Sequence, residues 1–282
     1  MKHYWYKKSI SILAIIISGF VFAQKQSDSI KIKESVIKEN PIDSLKAPLN
    51  QVGLSQVQSI YSGGISTMSN TSLHYMRKTK NQKLTFIGRV NLKSRAEITS
   101  LKYDIEVYAK HGKNHYSFIG GSVSDQKLFP NYEMFYSLYS NLGKGWELET
   151  GTKFLAAENF DLVTPILGIT KETDHNRITL RNFISFSQGN TYYSNMLQWR
   201  NFFNEKRDNF SVVTGFGNAP DSRNIDLAQD FITNKTFFAG LGYEKNFKPF
   251  KISASSVYNR NQYSTGRTFN QYDIYLTLMY DF

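Results

Sequence analysis

The chain has 282 residues, with 34 Lys and Arg against 23 Asp and Glu, 18 Tyr, 21 Phe, 18 Gly and no Cys. The absence of cysteine excludes a disulfide framework and a lipid anchor on that residue. Basic residues are spread without a dense cluster, which argues against a nucleic-acid partner, and a negative mean hydropathy beside so many aromatics suits strands that are apolar on one side only.

Lys2, Lys7 and Lys8 precede an apolar run from Ile10 to Phe22, and Val21-Phe22-Ala23 offers a small-residue cut before Gln24. Residues 1–23 therefore read as a secretory signal peptide. The run is short for a membrane helix, which needs roughly 20 apolar residues. Without those three lysines, 31 Lys and Arg face 23 Asp and Glu, a formal charge of +8. In an exported chain the natural counterpart is anionic lipopolysaccharide or an acidic polymer. Residues 24–52, rich in Lys, Ser and Glu with Pro41 and Pro48, read as a flexible periplasmic lead-in. A short helix is expected within it between Ile30 and Ile37.

From residue 53 to 282 the pattern becomes a series of alternating segments about ten residues long, each closed by turn residues. The expected strands lie at about 54–66, 71–79, 83–94, 99–110, 114–124, 131–142, 145–155, 159–170, 175–187, 191–203, 208–217, 231–245, 249–261 and 270–282. Pro165 weakens one of them, and the phase of 114–124 is ambiguous. Alternate breaks are short and polar, among them Lys80-Asn81, Gly143-Lys144 and Asn246-Phe247-Lys248. The other class holds the long breaks 125–130, 218–230 and 261–269, with short ones at Glu158 and Gly189. That segregation predicts an all-β, transmembrane antiparallel up-and-down β-barrel of about fourteen strands, with twelve as the alternative count and both termini in the periplasm.

The alternation assigns faces. Leu84, Phe86, Val90 and Leu92 oppose Thr85, Arg89, Asn91 and Lys93, and Leu101, Tyr103, Ile105 and Val107 oppose Lys102, Asp104 and Glu106. Glu147, Glu149 and Lys153 share the inward face of one strand, and Arg177 and Arg181 that of another. In the last strand Tyr272, Ile274, Leu276, Leu278, Tyr280 and Phe282 face lipid, whereas Asp273 and Asp281 turn inward beside the first strand. Tyr280 and Phe282 form the expected signal for the barrel-insertion machinery.

Between Ser122 and Phe154 the chain reads Ser-Val-Ser-Asp-Gln-Lys-Leu128-Phe129-Pro130, then Leu142-Gly143-Lys144-Gly145-Trp146-Glu147. This block resembles the YaiO-like outer-membrane β-barrel family, with its Leu-Phe-Pro loop and its Leu-Gly-x-Gly-Trp-Glu hairpin. Leu180-Arg181 and Gly215-Phe216-Gly217 extend the likeness over about 53–282, while Lys153 stands where relatives often carry Arg. The resemblance implies an outer-membrane location and says little about activity.

Related architectures include lipid-modifying enzymes that use Ser and His near the outer leaflet. Here His3 leaves with the signal, His111, His115 and His175 fall at turns on the periplasmic side, and His74 phases inward. An enzyme is therefore not expected, nor a metal or other cofactor. Arg89, Glu147, Glu149, Arg177, Arg181 and Arg200 are the candidate charge network of the lumen, either bracing the wall or forming a constriction that selects solutes. Phe129, Phe231, Tyr263 and Phe269 read as loop anchors rather than sugar platforms, and Gly215 and Gly217 as a bend at the rim. The functional expectation is a passage or docking site for a hydrophilic solute or exported polysaccharide. The alternatives are a structural or adhesive surface barrel with a filled lumen and, behind it, a lipid-modifying outer-membrane enzyme.

Overall fold

The computed structural model describes residues 50–158, 160–218, 235–262, 266 and 268–282. Their alternating sequence forms fourteen strands: β1 (Asn50–Tyr61), β2 (Met68–Lys78), β3 (Leu84–Arg95), β4 (Ile98–Lys110), β5 (His115–Ser124), β6 (Tyr132–Gly143), β7 (Trp146–Ala157), β8 (Phe160–Glu172), β9 (Asn176–Ser187), β10 (Asn190–Phe202), β11 (Asn209–Gly217), β12 (Lys235–Phe247), β13 (Phe250–Gln262) and β14 (Thr268–Asp281). Each strand pairs antiparallel with its sequence neighbours, and β1 pairs with β14, closing the barrel. Fourteen is the count, and twelve is excluded. The signal segment, residues 24–49 and the helix expected at 30–37 lie outside the described residues.

The first strand sits earlier than its sequence pattern suggests. Asn50 N–H donates to the Phe282 carbonyl at 3.1 Å and Phe282 N–H returns the bond to Asn50 at 3.0 Å, so residues 50–52, expected in the lead-in, already belong to the wall. The strand stops at Tyr61 instead of residue 66, because Gly63 and Gly64 take left-handed conformations with φ of 74°.

Call the end where β1 begins and β14 finishes the terminal end. The connections there are short, the longest spanning residues 203–208, and the longest connection at the far end spans 218–234. The far end also carries two-residue turns at 96–97 and 188–189. Length alone therefore separates the two ends less cleanly than the sequence suggests: left-handed Ala96, Gln188 and Gly189 close tight hairpins there as well.

The outer surface is apolar and the interior polar, the reverse of a soluble core. Ile105 is 69% exposed on the outside, whereas Asp273 is 1% exposed inside. Asp273 accepts hydrogen bonds from Ser59 Oγ at 2.5 Å, Gln271 Nε2 at 2.8 Å and Asn259 Nδ2 at 2.9 Å, which ties β14 to both neighbours. At the terminal rim Gln51 Nε2 donates to Asp281 at 2.7 Å. The ambiguous strand β5 turns Ile119 and Val123 outward and sets Phe118 and Gly120 opposite the inward Tyr108 and Glu106 of β4.

Pro165 does not break β8, but it leaves a mark. Pairing of β8 with β7 continues through Thr152 and Pro165, whereas pairing with β9 passes from Val163–Phe186 directly to Ile166–Phe183. Proline has no N–H to give the ladder. At the gap the hydroxyls of Thr164 and Ser185 meet at 2.9 Å instead.

The β6–β7 hairpin shows how local sequence dictates a turn. Gly143 pairs with Trp146, leaving Lys144 (φ 50°) and Gly145 (φ 76°) as a two-residue loop with both centres left-handed. A Cβ on Gly145 would collide with the Glu172 carbonyl oxygen, whereas one on Gly143 (φ 84°) meets open space. Both alanine variants carry the left-handed penalty of about 1–2 kcal/mol, and Gly145→Ala alone adds a backbone clash. Heat-modifiable mobility on SDS gels should show Gly145→Ala unfolding at a clearly lower temperature than Gly143→Ala. Equal shifts would contradict this packing.

Candidate functional site

The inward faces of β3, β4, β6 and β7 carry a chain of alternating charges. Arg89 makes a forked contact to Glu106 at 2.8 and 3.3 Å and lies 3.8 Å from Asp104. Lys102 bridges Asp104 at 3.2 Å and Glu133 at 3.1 Å, and Glu133 holds Lys153 at 2.7 Å. Asn91 extends the chain toward β2, donating to Asp104 at 2.6 Å and accepting from Ser72 at 2.6 Å. Three cations thus meet three carboxylates. Phasing points Lys102, Asp104, Glu106 and Lys153 inward, but Glu133, on which the chain turns, is reached only through the β5–β6–β7 register. Lys153 completes the chain.

A second network occupies the terminal end. Glu149 accepts from Arg181 Nε at 2.6 Å and Nη2 at 2.9 Å, from Tyr139 at 2.9 Å and from Ser137 at 3.0 Å. Arg177 reaches Glu147 at 3.4 Å and Glu172 at 3.6 Å. Gly168, facing Glu149 and Arg181, leaves room for both side chains, since any Cβ there would press on them. These groups border a cavity of about 280 Å³ together with Tyr108, Tyr116, Gln198 and Arg200.

Among the residues singled out from sequence, the structure joins Glu149 to Arg181 and Glu147 to Arg177, and sets Arg89 in the separate chain with Glu106. Arg200 borders the same cavity as Glu147 and Glu149 but bonds neither. It lies directly across from Arg177.

Leu128 and Phe129 are 0% and 5% exposed, and with Pro130 they fold inward at the far end. The Lys93 ammonium stands 4.3 Å from the Phe129 ring centroid and donates to the Leu128 carbonyl at 2.9 Å, while Lys102 approaches the ring at 5.3 Å. Burial works to raise the Asp125 pKa, but hydrogen bonds from Ser100 and from the Leu101 and Lys127 amides, with the Lys127 charge, hold its carboxyl below the ordinary range. Its anchoring of the loop is complete above the ordinary carboxylate pKa and is lost as pH falls through the lowered value.

Phe269 is equally buried, packed on Tyr61 and Met68, and Arg95 donates to the Tyr61 hydroxyl at 2.7 Å. Both aromatics are anchors; Phe231 and Tyr263 lie outside the described residues. A Cβ on Gly215 would meet the Asn195 carbonyl oxygen and the Phe238 ring, so the glycine leaves room for both. Trp146 carries Lys171 over its ring at 4.9 Å. Tyr280 and Phe282 sit in a terminal-end aromatic belt, with Phe250–Tyr280 centroids 5.3 Å and Tyr280–Phe282 centroids 5.8 Å apart.

Two histidines touch serines at the same end, His111 with Ser117 at 2.7 Å and His115 with Ser140 at 3.0 Å. Among the described residues, neither ring is bonded to a carboxylate that would orient it. His74 points inward over Gly53, whose missing side chain makes room for the imidazole.

A closed sheet with an apolar exterior and a charged interior defines an outer-membrane β-barrel. The chain belongs to the YaiO membrane beta barrel domain family, whose model matches residues 49–222. Three solved structures share the fold. A CymD monoaromatic hydrocarbon channel superposes with a TM-score of 0.60 at 8% identity, over 84% of this chain and 89% of that one. A bacterial polysaccharide outer membrane secretin gives 0.56 at 8% identity, over 84% and 99%. The Acinetobacter baumannii outer membrane protein Omp33 gives 0.50 at 12% identity, over 83% and 100%. No curated protein matched the chain.

The Glu149–Arg181 pair tests how far the wall depends on its inner charges. Removing one partner strands the other, which costs about 3–5 kcal/mol where both are buried. Arg181 is a third exposed to the lumen, so Arg181→Met should cost about 2 kcal/mol. The double change with Glu149→Leu should recover part of that loss in urea-dependent folding into lipid vesicles. Additive losses would show that the pair is not coupled.

Proposed function

We propose that the barrel is a non-enzymatic passage or docking site for a hydrophilic solute, with an exported polysaccharide as the favoured class, and that both chain ends lie in the periplasm. The observation that carries this reading is the interior. Arg89 with Glu106 and Arg181 with Glu149 pair along the wall, and a cavity bordered by tyrosine, arginine and glutamate remains at the terminal end. In this reading the apolar outer belt meets lipid and lipopolysaccharide, and Tyr280 and Phe282, whose rings stack in the terminal-end aromatic belt, serve as the signal read by the barrel-insertion machinery.

A second reading, a structural or adhesive barrel with a filled lumen, draws on the far end. There Leu128, Phe129, Tyr61, Met68 and Phe269 are buried where a wide mouth would leave them wet. Planar-bilayer recording separates the two. Discrete conductance steps are expected from the purified protein or from a form lacking residues 218–230; silence from both would remove the passage.

Because the chain contains no cysteine, single cysteines report orientation cleanly. On intact cells a membrane-impermeant maleimide should label Glu97→Cys, and should label Lys80→Cys only after the outer membrane is permeabilised. The reverse pattern would place the chain ends outside.

A further inference from the structure

We infer that the terminal-end cavity binds a singly charged acidic sugar, with its carboxylate on Arg200 and its ring against the neighbouring tyrosines; this deepens the passage-or-docking reading and rests on it. The first support is a charge count. Glu149 is matched by Arg181 and Glu147 by Arg177, so among the charges bordering the cavity Arg200 is the surplus. It makes no hydrogen bond or ion pair among the described residues, and its Nε is buried without a partner. It also stands directly across the β9–β10 ladder from Arg177. Like charges opposite one another destabilise a sheet, and among the described residues no carboxylate pairs with Arg200 to relieve it. An anion there would.

The second support is shape and surface. Tyr116 and Tyr139 are stacked with centroids 4.5 Å apart and planes within 6°, and with Tyr108 they border the same cavity as Arg200. Tyrosine offers an apolar face and a polar edge, which suits a pyranose with one C–H-rich face and hydroxyls around its rim. At about 280 Å³ the space falls just under the roughly 300 Å³ at which drug-sized pockets begin, room for one sugar unit. Guanidinium binds carboxylate through paired N–H donors. One surplus positive charge is balanced by one carboxylate, whereas a phosphate dianion would overcompensate and press against Glu147 and Glu149. A neutral sugar leaves Arg200 as it stands.

Isothermal titration of the detergent-folded full chain with D-glucuronate, D-glucose and inorganic phosphate tests this. Glucuronate should bind at least about tenfold more tightly than either of the others, the scale of a charge-assisted hydrogen bond. Arg200→Gln should erase that preference. Glucuronate binding no tighter than glucose overturns the site without recourse to any variant. Equal binding by phosphate overturns the sugar assignment, and an unchanged preference in a folded Arg200→Gln protein removes Arg200. Conductance decides the passage and titration decides the site, so failure of one is distinguishable from failure of the other.

Discussion

Everything in this molecule depends on the requirement that backbone N–H and C=O groups in lipid find partners within the protein. A sheet meets it only by having no edge, so β1 must reach β14. It does so along an unbroken register from Gln51–Asp281 to Tyr61–Gln271, sealed by the reciprocal bonds of Asn50 and Phe282. Closure fixes which face is inside, and from that follow the apolar exterior, the aromatic belt and the polar lumen. Asp273, buried at the seam with three donors on its carboxylate, is a residue a soluble core would rarely hold.

Inside, electrostatics is settled between neighbours. Charges on adjacent strands meet directly, as Arg89 meets Glu106, and charges two strands apart meet over a small residue, as Glu149 meets Arg181 above Gly168. Such pairing stiffens the wall while leaving the lumen polar and close to neutral. Neutrality by neighbours also makes an exception easy to see, and Arg200 is visible as one because the groups around it are already paired.

Much of this was legible in the sequence because a strand's period of two is a strong signal when one side must face lipid. The strand count, the faces of β3, β4, β9 and β14 and the inward turn of the charged residues all follow from alternation. What alternation does not carry is register, the offset between one strand and the next. Hence Glu133 was invisible as the hub between Lys102 and Lys153, and Arg200 reads from sequence as a member of a network it only borders. The start of β1 was hidden for a related reason: Asn50 and Gln51 have no pattern of their own and are strand only because β14 lies beside them. Loop aromatics such as Phe129 show their burial only through the lysines that gather over the ring.

The interruption at Pro165 gives the wall an uneven stiffness. Around the circumference, the β8–β9 joint falls almost opposite the β1–β14 joint. Near its far end, between Val163–Phe186 and Ile166–Phe183, one side-chain bridge, Thr164 to Ser185, stands in for the backbone ladder. A hoop with a softened joint yields by flattening about that joint rather than by widening evenly. The softened stretch lies near the far end, whereas Arg177 and Arg181 sit where the β8–β9 register runs without a break, so yielding at the proline leaves the charge pairs of β9 in place.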